Sequence, residues 1–166
     1  VFRHPNQKKK EVTTLELTVY WAGPLFSQAE RSWNRTCVRI LSKRGYRVIL
    51  PQDEAKPFVR TDGLDGLGIA EHCCQQVIAC HVMVAIVDGP DPDSGTSLEV
   101  GIRIGYMLAL GKQRKIICVR TDFRGSEDGH LNAMFNLADR VVYVPSFNED
   151  PTHLIDVIEN AIKQLT

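Results

Sequence analysis

The chain has 166 residues, about one domain's worth, with 43% hydrophobic and 24% charged residues, the ordinary globular mix. Lys plus Arg total 20 and Asp plus Glu total 20, so the formal net charge is zero, which argues against a nucleic acid polymer as main partner. The longest apolar runs, such as 82–87, are far too short to span a bilayer, and no secretory signal pattern opens the sequence.

Five cysteines, Cys37, Cys73, Cys74, Cys80 and Cys118, lie mostly in apolar or helical segments. An odd count in such segments reads as free, mostly buried thiols in a reducing cytoplasm rather than a disulfide framework. The expectation is a cytoplasmic protein without membrane association.

Residues 1–14 are polar, with Lys8, Lys9 and Lys10 in a row, and read as a flexible tail ahead of one domain over 15–166. The first predicted strand is Leu15 to Trp21, broken by Ala22-Gly23-Pro24. Ser27 and Glu30 form a capping box, and Ala29, Trp33, Cys37, Ile40 and Leu41 follow at helical spacing up to Gly45. Tyr46 to Leu50 is the second strand, stopped by Pro51. Residues 51–66 read as a loop, followed by a helix over Leu67 to Ala79 and a third strand over His81 to Val87. A turn-rich loop over Asp88 to Gly95 leads into a helix over Thr96 to Leu110, ended by Gly111. Lys115 to Val119 is the fourth strand, Leu131 to Leu137 a short helix and Arg140 to Val144 the fifth strand. Pro151 opens a last amphipathic helix with Leu154, Ile155, Ile158, Ile162 and Leu165 on its buried side.

Val- and Ile-rich strands separated by helices imply an α/β fold: a doubly wound, five-stranded parallel sheet with helices on both faces. Right-handed crossovers give, most simply, flavodoxin-like (Rossmannoid) strand order. Ligands in such folds bind beyond the carboxyl ends of the strands, so site residues should follow strands one, three and four.

Three segments meet that test. They are 20–27 (Tyr-Trp-Ala-Gly-Pro-Leu-Phe-Ser), 88–101 (Asp-Gly-Pro-Asp-Pro-Asp-Ser-Gly-Thr-Ser-Leu-Glu-Val-Gly) and the stretch from 120 through Asn132-Ala133-Met134. Glu99 is predicted in the first turn of its helix, where exposed amides favour the ionised carboxylate. Such a carboxylate is suited to attack a sugar's anomeric carbon, although acidic residues also stabilise helix starts with no other role. Asp93 stands near it, or simply shapes a turn. Gly101 and Gly105 share a helix face, which suggests close packing on the sheet. The trio Gly63, Gly66 and Gly68 does not follow a strand and lacks dinucleotide-loop spacing. His72, Cys73, Cys74, Cys80 and His81 are zinc-type residues without the spacing of a zinc clamp, so no metal is expected. The sequence carries neither a phosphate-binding loop of the Walker type nor a nucleophile elbow.

At these residues the sequence resembles the nucleoside 2-deoxyribosyltransferase family, over about Leu17 to Val144. The pieces are Tyr-Trp-Ala-Gly-Pro-Leu-Phe, Asp-Ser-Gly-Thr-Ser-Leu-Glu-Val-Gly and Asn-Ala-Met, in the family's order. The resemblance implies cleavage of the N-glycosidic bond of a 2'-deoxynucleoside and transfer of the sugar to a second free base, in nucleotide salvage, with no cofactor. It implies Glu99 as nucleophile, Tyr20 as the residue orienting it and Asp93 in the sugar and catalytic region. Gly23, Phe26, Asp88, Ser94 and Gly95 would contact substrate. Asn132 would reach a neighbouring subunit's site to bind the 5'-hydroxyl, with Met134 close by, which implies a homo-oligomer.

Related members hydrolyse nucleoside 5'-monophosphates and commonly carry Ser at the position of Asp93, and Ser near Asn132. A carboxylate there repels a phosphate, so Asp93 and Asn132 favour a nucleoside. One departure is Cys73 at a position where many members carry Asp to protonate or hold the leaving base. His72 or Asp93 could take over that task. Gln52 and Asp53, in the loop expected to line the base pocket, could contact a base. The competing expectations are an N-glycosidase on nucleosides or nucleotides, and a nucleotide-binding module with impaired turnover.

Overall fold

The structure, a computed structural model, describes residues 16–122, 131–145 and 150–166. The expected tail at 1–14 and the residue Leu15 lie outside the described residues. Five strands form one parallel sheet: β1 Thr18–Ala22, β2 Arg47–Ile49, β5 Val82–Ile86, β6 Ile116–Arg120 and β7 Arg140–Tyr143. Their order is β2-β1-β5-β6-β7, the doubly wound order expected of the alternating β and α segments. The two further strands, β3 Val59–Arg60 and β4 Gly63–Leu64, pair antiparallel in a small separate hairpin.

Helices α1 (Gln28–Lys43) and α5 (Thr152–Leu165) cover one face, and α3 (Gly66–Ala79) and α4 (Ser94–Ala109) cover the other. Side chains alternate across a strand, so each central strand feeds two cores. In β1, Val19 and Trp21 enter the α1/α5 core, whereas Tyr20 and Ala22 enter the α3/α4 core. All five residues of β5 and of β6 are buried, as strands covered on both faces require. The predicted buried stripe of α5 is observed in full, with Ala161 added. The Ser27–Glu30 capping box is present: Glu30 N donates to Ser27 Oγ at 3.1 Å and Ser27 N to Glu30 Oε2 at 2.7 Å.

Three expectations are corrected. Residues 51–66 are not plain loop: α2 (Pro51–Glu54), a 3₁₀ turn (Lys56–Phe58) and the β3–β4 hairpin occupy them. Pro51 starts α2 because a first-turn proline loses no hydrogen bond there. The α4 helix begins at Ser94, not Thr96, because Asp93 is its N-cap, with Oδ2 accepting from Thr96 N at 2.9 Å. Gly101 and Gly105 do not pack on the sheet. They are exposed, with nothing within 4 Å of an added Cβ, while Val100, Arg103 and Ile104 face inward.

Arg103 is a buried cation that closes the end of α3. Its Nη1 donates to the carbonyls of Val77 (3.0 Å) and Ile78 (2.8 Å), Nη2 to His81 O (3.3 Å) and Nε to Arg114 O (2.9 Å). These groups include last-turn carbonyls that no helix can satisfy internally. Arg103→Met should therefore lower the unfolding free energy by about 2–4 kcal/mol, read as a lower urea midpoint at unchanged m.

Candidate active site

In this strand order the chain leaves β1 toward β2 and returns to β5 on the opposite side, which opens a crevice at the carboxyl ends of β1 and β5. A cavity of about 650 Å³ occupies it. Gly23, Leu25 and Phe26 line it from the β1–α1 loop, and Pro51, Gln52, Ala55 and Leu64 from the 51–64 segment. Ile69, Ala70, Cys73 and Cys74 line it from α3, and Asp93, Gly95, Thr96, Leu98, Glu99 and Ile102 from the start of α4.

Tyr20 reaches this cavity because its position in β1 turns it toward α3 and α4. Its hydroxyl donates to Glu99 Oε1 at 2.6 Å, across 79 residues of chain. Glu99 is the sixth residue of α4, in the second turn, so the expected first-turn stabilisation by free amides is corrected. Burial dominates instead and raises the Glu99 carboxyl above its ordinary value; the Tyr20 hydrogen bond opposes this, and the nearby Asp93 charge adds to it. The Tyr20 hydroxyl is pushed far up by burial and by Glu99, so it stays protonated and remains a donor. Cys73 adjoins the same pair: its thiol is raised by burial first, and interaction with Tyr20 partly offsets the rise.

Asp93 lies at the mouth of α4. Its Oδ2 also accepts from Thr96 Oγ1 at 3.1 Å, and its carbonyl from Ser97 N and Oγ, both at 2.9 Å. Asp93 thereby holds the start of the helix that carries Glu99.

The structure gathers Tyr20, Gly23, Phe26, Gln52, Cys73, Asp93, Gly95 and Glu99 at this crevice. Six other expected residues lie elsewhere. Asp88 ties strand ends together: its Oδ1 accepts from Thr121 N (2.5 Å) and Asp122 N (3.1 Å), and its Oδ2 from Thr121 Oγ1 (2.5 Å). Asp122 replies by accepting from Gly89 N at 2.6 Å. Ser94 is exposed and outside the cavity lining. Asp53 faces outward to Arg35 (3.0 Å) and Lys56 (2.7 Å). His72 packs on the Phe58 ring and meets Glu54 Oε2 at 3.3 Å, outside the lining. Asn132 and Met134 line a separate cavity of about 390 Å³ on the other side of α4, beside Val100, Gly101 and Phe135. Asn132 Oδ1 there accepts from Met134 N at 3.0 Å. Among the described residues no group of three or more His, Cys, Asp or Glu could hold a metal ion.

Sequence reasoning missed Asn34 and Arg31. Trp21 Nε1 donates to Asn34 Oδ1 at 3.2 Å, and Asn34 Nδ2 donates to Pro24 O (2.8 Å) and Gln52 Oε1 (3.4 Å). Gln52 Nε2 donates to Arg31 O at 2.9 Å, and Arg31 Nη1 to Leu25 O (2.9 Å) and Phe26 O (2.8 Å). This network fixes the β1–α1 loop against the cavity. The one available signal was an Asn on an otherwise apolar helix stripe between Trp33 and Cys37.

A family model described as Nucleoside 2-deoxyribosyltransferase matches residues 19–140. The chain belongs to the nucleoside 2-deoxyribosyltransferase family. Among solved structures it is similar to a conserved protein from Enterococcus faecalis V583, at 25% identity and TM-score 0.68, over 91% of this chain and 99% of that one. A 2-deoxyribosyltransferase from Leishmania mexicana shares the fold at 21% identity and TM-score 0.55, with 84% and 97% of the two chains covered. A CMP N-glycosidase from Clostridium botulinum shares it at 14% identity and TM-score 0.55, with 86% and 98% covered. No curated protein sequence matches the chain. Family membership supports an enzyme of the nucleoside 2-deoxyribosyltransferase kind, a family that acts on nucleosides and nucleobases. Among the described residues no helix is long and apolar enough to cross a membrane.

The opposing influences on Glu99 yield a signed prediction. Removing a donor to a carboxylate disfavours its charged form, so Tyr20→Phe should raise the Glu99 pKa beyond its already raised value. A ¹³C carboxyl titration followed by NMR should show the midpoint moving to higher pH, and an unchanged midpoint would mean the 2.6 Å contact does not hold in solution.

Proposed function

We propose that the protein transfers 2'-deoxyribose between nucleobases, with Glu99 as nucleophile. The observation that carries this reading is the Tyr20 Oη–Glu99 Oε1 hydrogen bond inside a cavity at the strand ends of a family member. The free Glu99 oxygen would attack C1' as the C1'–N bond breaks, forming a deoxyribosyl ester and releasing the base with the bond's electron pair. A second base would then attack C1' and free the carboxylate, with net retention. Tyr20 would orient the nucleophile and keep part of it ionised, since only the carboxylate can attack. A carboxylate beside an oxocarbenium-like sugar, in a cavity lined largely by apolar groups, is favourably placed to stabilise positive charge.

Asp93 favours a nucleoside over a nucleoside 5'-monophosphate. Its carboxylate already takes up the Thr96 amide at the α4 N-terminus, the kind of place where a phosphate would bind. Gly23, Phe26 and Gly95 would contact substrate, with Cys73 at the leaving-base side in place of a carboxylic acid. Asp88, Ser94, His72 and Asp53 carry no substrate role in this reading.

The test is base exchange. The protein with a 2'-deoxynucleoside and a different free base should yield the exchanged deoxynucleoside, resolved by chromatography. Glu99→Ala should reduce the rate by at least about 10³-fold. Free sugar without exchange would instead indicate a hydrolase, and no product from nucleosides or 5'-monophosphates a binding module.

The reading includes a homo-oligomer in which Asn132 and Met134 serve a neighbouring copy's site. The outer row of α4 supports it: Leu98 (66% exposed), Gly101, Ile102, Gly105 and Tyr106 carry no charge. The protein should sediment as a dimer or larger. Gly105→Arg, which places a cation on that row where the chain itself leaves space, should shift it toward monomer.

A further inference from the structure

The outer side of α1 carries an open groove of about 340 Å³, and every side chain lining it is polar: Gln28, Arg31, Ser32, Arg35, Thr36 and Arg39. Arg31, Arg35 and Arg39 recur at i, i+4 and i+8, so they share one side of the helix, stepped about 6 Å along its axis. Lys43 continues the row by one more turn. Like charges at this spacing oppose a helix. The whole chain balances 20 cations against 20 anions, so the row is a local excess. It is only partly used inside the protein. Arg31 donates through Nη1 to the Leu25 and Phe26 carbonyls, which leaves its Nε and Nη2 without a partner among the described residues. Arg39 has no hydrogen bond or ion pair among the described residues. Two carboxylates stand near the row without lining the groove, and both are committed. Asp53 Oδ1 takes Arg35 Nη2 at 3.0 Å and is shared with Lys56 Nζ at 2.7 Å, and Glu30 Oε2 accepts from Ser27 N at 2.7 Å.

We propose that this groove binds a short chain of linked phosphates, either free or as the polyphosphate arm of a nucleotide. The site lies on the far side of α1 from the core, and the inference does not depend on the glycosidic reading. Three features select this ligand. Guanidinium forks pair with phosphate oxygens two bonds at a time, and three forks in a row suit several linked phosphates better than one. The groove volume lies within the roughly 300–1,000 Å³ range of small-ligand pockets. The lining has neither an apolar anchor for a peptide nor an aromatic face on which a single-stranded nucleic acid could stack. Ser32 and Gln28 add a hydroxyl and an amide without partners among the described residues, whereas Thr36 Oγ1 is turned back onto Ser32 O at 3.0 Å. Arg31 lines both this groove and the strand-end cavity, so a bound phosphate chain would meet the outer side of the residue that clamps the β1–α1 loop.

Titration calorimetry on the intact protein at low salt tests this without any turnover. Inorganic tripolyphosphate should bind at one site, about tenfold or more tightly than orthophosphate. Arg39→Gln, at an exposed position, should weaken tripolyphosphate about five- to tenfold, and Arg39→Lys, which keeps the charge without the fork, should recover part of that loss. Lys112→Gln removes an exposed cation between α4 and β6 and should leave the affinity unchanged. Adenosine triphosphate titrated in parallel separates the two sources. Tighter binding than tripolyphosphate, weakened by the same Arg39→Gln change, supports the site with a nucleotide as its ligand, and equal or weaker binding supports it with a free phosphate chain. Absence of tripolyphosphate binding at millimolar concentration would overturn the inference. So would binding that Arg39→Gln leaves intact, or an equal loss in Lys112→Gln, which would mark diffuse charge attraction. A hexaglutamate peptide that binds as tightly as tripolyphosphate would overturn it in favour of an acidic protein partner.

Discussion

A carboxylate in an apolar cavity and a phenol that keeps donating to it form the constraint on which this site depends. The Tyr20–Glu99 hydrogen bond joins the second strand residue to be buried in the chain with a helix 79 residues later. Burial alone would hold Glu99 protonated at higher pH, and a protonated carboxyl cannot act as a nucleophile. The phenol counters this without bringing a charge of its own, because its own burial keeps it protonated. A lysine in its place would ionise Glu99 more strongly, but it would also set a cation beside the cationic sugar that the proposed reaction develops.

The contact is a consequence of strand parity and helix start. Tyr20 is on the α3/α4 side of β1 while Trp21 is on the α1 side, and each makes the hydrogen bond that its side offers. Shifting β1 by one residue in register would exchange them. The helix start at Asp93 then sets the phase of α4, so that Glu99 faces β1 while Leu98 and Ile102 face the cavity mouth. Asp93 therefore acts on Glu99 in two ways, as the cap that sets its helix and as the charge that raises its carboxyl.

The β–α alternation was legible because buried parallel strands are continuous Val/Ile runs, as in 82–86 and 116–120, and because α5 carries a full amphipathic period. The 51–64 segment was not legible, since a four-residue helix and two two-residue strands are shorter than any period. The start of α4 was misread by two residues because Pro-Asp-Ser-Gly serves equally as a turn and as a cap, and this displaced Glu99 into the first turn. Glu99, Asp93 and Tyr20 were legible through the family resemblance. Asp88 was not, because nothing local tells a strand-end carboxylate that binds substrate from one that ties Thr121 and Asp122. Asn34 and Arg103 were hidden for the same reason: their partners are carbonyls that only the tertiary fold brings near.

The Asn34–Gln52–Arg31 network restrains the loop that borders the cavity. A loop that follows a strand and carries Gly23 and Pro24 has few internal restraints, and here side chains of α1 and α2 supply them. The same bonds hold Gln52 at the cavity wall, with its amide oriented by Arg31 O and Asn34. The apolar part of that wall comes from residues of α3 and the hairpin, such as Ile69 and Leu64. Ile69 and Leu64 lie outside the central sheet, so changes at these two positions can reshape the cavity while β1 and the start of α4 continue to hold the Tyr20–Glu99 pair.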